Sequence, residues 1–143
     1  METEQMTVLR PLILVAEDDD SNFKWIKAVI GKKCDIEWAK NGAEMVQLFQ
    51  EHQHRASAIL MDIKMPLMNG LEATKIIRES NRGIPIPLRR QRQMCIRDRQ
   101  TAYAFSSDKE NAMKAGATEV LVKPITLSIL RTTLSKYLPD LQW

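Results

Sequence analysis

The segment SAILMDIKMPLMNG, Ser57 to Gly70, carries a short apolar run (Ala58, Ile59, Leu60, Met61) that stops abruptly on a carboxylate, Asp62. Pro66 and the Asn69-Gly70 turn then lead into a helical pattern. A buried strand followed by a turn and a helix delivers Asp62 to the C-terminal edge of a sheet. In open α/β sheets that edge is where ligands bind, because loops open a crevice there and helix N-termini face it. An isolated acid just past a strand is as often a solvated group or a helix cap, so the rest of the chain must decide.

The chain has 143 residues, 44% hydrophobic and 27% charged, the profile of one ordinary globular domain. Its early apolar run, Leu12 to Ala16, is far too short to span a bilayer, and the start METEQMTV lacks a basic region followed by an apolar one. The expectation is a cytoplasmic protein with no membrane segment. Cys34 and Cys95 offer neither a disulfide framework nor metal-ligand spacing, and His52 and His54 lie in a polar segment. The net charge of +3 is local: five arginines and one aspartate fall between Leu88 and Arg99, leaving the remainder slightly acidic. A patch without interleaved aromatics or a recognition-helix pattern argues against nucleic-acid binding.

In order, the chain alternates strand-like and helix-like pieces. Leu12 to Ala16 is a buried strand followed at once by Glu17, Asp18, Asp19 and Asp20. Phe23, Ile26, Val29 and Ile30 recur at helical spacing, with Asp20 or Ser21 as cap and Gly31 as stop. Cys34 to Ala39 reads as a second strand, and Asn41-Gly42 opens a helix with Met45, Leu48 and Phe49 on one face. The third strand ends at Asp62. A helix through Leu71, Thr74 and Ile77 closes near Arg82-Gly83, and Ile84-Pro85-Ile86 starts a fourth strand. PLRRQRQMCIRDRQ then breaks the pattern, until Thr101-Ala102-Tyr103. Ser107 to Glu110 is a capping-box pattern for a short helix ended by Gly116, Glu119 to Val122 is a fifth strand, and Ile129, Leu130, Thr133, Leu134 and Tyr137 form the stripe of a last helix. Five strand-helix units imply an α/β fold, a five-stranded parallel sheet doubly wound by helices, with an irregular insert before Thr101.

Superposing the strand ends gathers Glu17 and Asp18 from the first, Asp62 from the third and Lys123 from the fifth on one edge. Such acids repel unless a cation joins them, and a hard divalent ion such as Mg²⁺ takes oxygen ligands of this kind.

ILVAEDDDSN, LMDIKMPLMNGLEATKIIR, TAY and GATEVLVKPI, in this order, resemble the response-regulator receiver domain of two-component phosphorelays, most closely the receiver of a hybrid sensor histidine kinase. The likeness covers nearly the whole chain except the amino-terminal tail and residues 87–100. It implies a flavodoxin-like fold in which Asp62 is the phosphoacceptor. Glu17, Asp18, Asp62 and the backbone carbonyl of Lys64 would hold Mg²⁺, with Thr101 meeting the phosphoryl group and Lys123 pairing with it. It also implies a signalling domain rather than an enzyme, one that assists its own phosphorylation and dephosphorylation. The partner would be a histidine kinase or histidine phosphotransfer protein. Residues 1–10 read as a tail or linker stub and 11–143 as the receiver, with no DNA-binding output domain in this chain.

Two departures stand out. The aromatic that often lies three residues before the lysine is Val120 here. And where about three apolar residues usually join a strand like IPI to the Thr-Ala pair, fourteen intervene, Pro87 to Gln100. This arginine-rich stretch resembles translated adapter sequence set into a normal receiver. Because arginines are costly to bury without partners, residues 88–99 are expected to loop out, leaving the strand to form from Ile84–Ile86 and displacing Thr101 from its place. Two rival functions follow: a degenerate pseudo-receiver acting as an interaction module, and a haloacid-dehalogenase-type phosphohydrolase working through Asp18 and Asp20.

Overall fold

The structure, a computed structural model, describes residues 10–90, 110–122 and 125–139. The elements are β1 (Leu12–Ala16), α1 (Asp20–Ile30), β2 (Asp35–Ala39), α2 (Gly42–His52), β3 (Ala56–Asp62), α3 (Gly70–Ser80) and β4 (Pro87–Arg90). Then come a helical stretch at residues 110–115, designated α4, followed by β5 (Glu119–Val122) and α5 (Leu127–Tyr137). Ser107, Asp108 and Lys109 of the expected capping box lie outside the described residues, and Glu110 is helical.

All four strand pairings are parallel, in the order β2-β1-β3-β4-β5. Period-two alternation splits the side chains of the central strands between two cores. Leu12, Leu14, Ile59 and Met61 join Met45 and Phe49 of α2, Ala73 and Ile77 of α3 and Ala112 of α4. Ile13, Val15 and Leu60 face the other way, onto Phe23, Ile26 and Ile30 of α1 and Leu130 and Leu134 of α5. The sheet is thus covered on both faces, as continuous apolar strands require.

Local chemistry fixes the helix starts. Asp19, Asn41, Asn69 and Thr126 cap α1, α2, α3 and α5 by accepting from backbone N–H groups inside each first turn. Asn69 and Glu72 form a reciprocal capping box. Ile129, expected in the stripe of α5, is instead 38% exposed, because the helix rotates Leu130, Thr133 and Leu134 inward.

β4 departs from the sequence reading. Residues 87–90 do not loop out; they are the strand, with Met61 opposite Leu88 and Asp62 opposite Arg89. Ile84 and Ile86 lead into it, the carbonyl of Pro85 accepting from Ile59 N–H and Ile86 exchanging bonds with Thr118. Ile84, Ile86 and Leu88 all enter the same core, and Arg89, falling on the alternate face, finds partners there. The cost that argued for a loop is met by hydrogen bonds and a carboxylate. Residues 91–109, Thr101 among them, lie outside the described residues.

Cys34 sits beneath α1 in the second core, 2% exposed, and burial pushes its thiol up to about 11 from an ordinary 9. The folded protein therefore holds this proton where the unfolded chain releases it. Stability contributed by Cys34 is complete below about pH 9 and declines as pH rises towards about 11. Urea melts at pH 8 and 10.5 should show a larger loss for the parent protein than for Cys34→Ala; equal losses would refute the assignment.

Candidate functional site

A sheet ordered 2-1-3-4-5 reverses direction of winding between β1 and β3, and the crevice beyond the carboxyl ends of those strands is the place for a ligand. Glu17 and Asp18 follow β1 directly, and Asp62 is the last residue of β3. Their carboxylates come together: one oxygen from each of the three lies within 4.8 Å of the other two. Glu17 and Asp62 are buried, Asp18 is exposed.

Glu17 is held from several sides. Its N–H donates to Ala39 O at 2.9 Å, and its own carbonyl accepts from the indole Nε1–H of Trp38 at 2.8 Å. Oε2 accepts from the backbone of Asp19 at 3.2 Å. The Trp38 ring in turn stacks on Phe23 of α1, centroids 4.0 Å apart and the rings nearly parallel. Trp38 thus helps to orient the site.

Beyond Asp62, the chain turns sharply before α3. Met68 N–H donates to Pro66 O at 2.7 Å across Leu67, whose φ of 67° lies in the left-handed region although it is not glycine. Gly70 N–H then closes on Ile63 O at 2.8 Å, and a Cβ at Gly70 would collide with the backbone carbonyl of Asp62. Glycine here lets the start of α3 press directly on the end of β3. Lys64 falls in the bend after the strand, exposed.

The sequence reading missed Arg89. Its side chain is 2% exposed and enters the same pocket: Nη1 lies 2.9 Å from Glu17 Oε1 and Nη2 2.8 Å from Ala16 O. Nε is buried with no hydrogen-bond partner among the described residues. Burial pulls the guanidinium below its ordinary pKa, while the charges of Glu17, Asp62 and Asp18 push it back; an arginine in such company keeps its proton. The signal available in the sequence was the period-two run Ile84, Ile86, Leu88, which places residue 89 on the opposite face of an interior strand. Thr101 and Lys123 lie outside the described residues, as do Tyr103 and Phe105. A connection of three residues after Ile86 (Pro87, Leu88, Arg89) is followed by Arg90 rather than by a hydroxyl residue.

An α/β sheet that gathers acids of β1 and β3 at its switch point has the arrangement expected of a receiver domain. The chain belongs to the response regulator receiver domain family, which matches residues 13–135. Hybrid signal transduction histidine kinase I of Dictyostelium discoideum is 35% identical over 138 residues, 90% of this chain. The polar-differentiation response regulator DivK of Brucella anthropi is 30% identical over 129 residues, covering 90% of this chain and 96% of its own length. This chain spans only 7% of the Dictyostelium kinase, so the likeness there is to one domain of a much longer protein. Among solved structures, the receiver domain of the sensor histidine kinase PA1611 from Pseudomonas aeruginosa, described with a magnesium ion coordinated in its active site cleft, superposes with a TM-score of 0.70 at 28% identity, covering 90% of this chain and 97% of that one. Among the described residues no helix is long and apolar enough to cross a membrane.

Proposed function

We propose that this receiver takes a phosphoryl group onto Asp62 from a phosphohistidine on a histidine kinase or histidine phosphotransfer protein. The observation that supports it is the meeting of the Glu17, Asp18 and Asp62 carboxylates at the switch point. Three hard oxygen donors, two of them buried, suit Mg²⁺, with the Lys64 carbonyl as a further oxygen and waters completing the shell. When bound, the ion would offset charge on the acids and on the transferring oxygens.

The rest is performed by the chain. An Asp62 carboxylate oxygen forms the new bond to phosphorus as the phosphorus–nitrogen bond of the donor breaks, its electron pair returning to the imidazole. There is little covalent chemistry to catalyse, so positioning and electrostatics carry the reaction. The packed β3–α3 junction at Gly70 fixes the carboxylate, and the amine of Lys123 pairs with the phosphoryl oxygens. Thr101 is the hydroxyl that would respond to the new acceptor oxygens, altering the face formed by α4, β5 and α5. Phosphorylation then acts as a charge-triggered switch of partner interactions in the cytoplasm, in a receiver of the hybrid-kinase kind spanning residues 11–143.

One observation favours the alternative, a degenerate receiver serving as an interaction module: a guanidinium already sits against Glu17. Acetyl phosphate with Mg²⁺, compared with the same reaction in chelator, separates the two. The phosphoacceptor reading expects a hydroxylamine-labile label that appears only with Mg²⁺. A chain that stays unlabelled under both conditions is an interaction module.

A further inference from the structure

The phosphoacceptor reading brings a divalent ion to the three acids, yet the chain supplies a cation of its own to the same pocket. Arg89 reaches it from β4, an interior strand, and donates to Glu17 Oε1 and to the carbonyl of Ala16, the last residue of β1. The pair is almost wholly enclosed, the side chains 3% and 1% exposed. Its register is set by the sheet, since Arg89 lies opposite Asp62 and its carbonyl accepts from Ile63 N–H at 2.9 Å. A surface arginine swings away from an arriving ion at little cost. This one is anchored at its backbone by the strand ladder and at its tip by two acceptors.

We infer that Arg89 is a built-in counter-cation of the acidic pocket, which a divalent ion must displace from Glu17 or bind against. The inference rests on the phosphoacceptor reading and deepens it by naming what regulates the site. Two consequences follow from charge alone. With its guanidinium in place the repulsion among the acids is reduced in the absence of a metal, because among the described residues its positive charge acts on all three of them. And a dication placed within a few ångströms of that guanidinium meets like charge in a medium of low effective dielectric, which weakens its binding by about tenfold or more. The buried Nε has no hydrogen-bond partner among the described residues. An arriving ion therefore either breaks the Nη1 contact to Glu17 or binds beside a guanidinium held in place. The receiver would accept phosphate only at divalent concentrations high enough to win that competition.

The test is calorimetric titration of the full chain with magnesium chloride, alongside Arg89→Gln and Arg89→Met. Glutamine keeps a hydrogen-bonding tip without charge; methionine keeps most of the volume. The expected result is Mg²⁺ binding at least about tenfold tighter in both variants than in the parent. Equal affinities in all three overturn the inference and leave the phosphoacceptor reading standing, whereas no binding by any of them overturns both. Should the variants fail to fold, the parent alone suffices: the Arg89 Nε–H resonance, followed by nitrogen-15 NMR during the titration, is expected to shift and lose solvent protection in step with saturation. A resonance unmoved while calorimetry records binding overturns the inference.

Discussion

Asp62→Asn is expected to reduce phosphoryl incorporation from a phosphohistidine donor or acetyl phosphate to background, a loss on the order of a thousandfold or more. The substitution is nearly isosteric, and Asp62 is 4% exposed at the end of a strand whose other residues are core, so the fold should survive it. What disappears is the anionic oxygen that bonds to phosphorus. No neighbour replaces it easily: Glu17 is committed to Arg89 and to the Asp19 N–H, and Asp18 is exposed at the start of the next loop. The measurement is radiolabel from the donor, with hydroxylamine lability marking the acyl phosphate and circular dichroism confirming the fold. Labelling at parental levels would move the acceptor elsewhere. Turnover of phosphate esters persisting in Asp62→Asn would point to Asp18 as nucleophile and to the hydrolase reading.

Glu17→Ala carries the second large effect. It leaves the Arg89 guanidinium enclosed without the carboxylate it donates to, and removing one member of a buried pair costs about 3–5 kcal/mol. Replacing both members with apolar residues of similar size, Glu17→Leu with Arg89→Met, removes the desolvation problem along with the attraction, and stability should return most of the way to the parent. Urea denaturation of Glu17→Leu, Arg89→Met and the double variant, beside the parent, forms a cycle. A coupling energy near zero would mean that the pair is incidental to folding. The experiment also bears on how β4 forms. If the strand depends on Glu17 to receive Arg89, then Glu17→Ala should expose Leu88 and Ile86 to hydrogen exchange before the rest of the sheet opens.

Most of the architecture was visible before any coordinates, and the reasons are local. Strands such as Leu12–Ala16 and Ala56–Asp62 are continuous apolar runs ending on or beside acids, and the helix starts at Asn41 and Asn69 carry side chains that bond the first turn, whereas α1 is capped by Asp19 and not by the expected Asp20 or Ser21. The meeting of Glu17, Asp18 and Asp62 was legible because parallel strands all end on the same edge. What failed was the judgement on residues 88–90. Composition suggested a polar loop, but the alternation of Ile84, Ile86 and Leu88 was the stronger signal, and a buried arginine is acceptable where a carboxylate 72 positions earlier in the chain lies opposite it. No single-residue propensity carries that information, since it depends on the sheet order that brings β4 next to β3 and its side chain across to β1. Trp38 shows the same limit: an aromatic at a core edge is a fair reading of its surroundings, while its bond to the Glu17 carbonyl depends on the β1–β2 register.

That indole gives the domain an optical readout of its own. Trp38 is bonded to the peptide carbonyl of Glu17, stacked on Phe23 and overlain by the Lys40 ammonium 5.1 Å from its ring centre. Its excited state therefore senses the electric field one residue from the carboxylates. Events in the crevice are therefore expected to change the emission of this native fluorophore, read as the difference from a Trp38→Phe variant because Trp25 and Trp143 also emit.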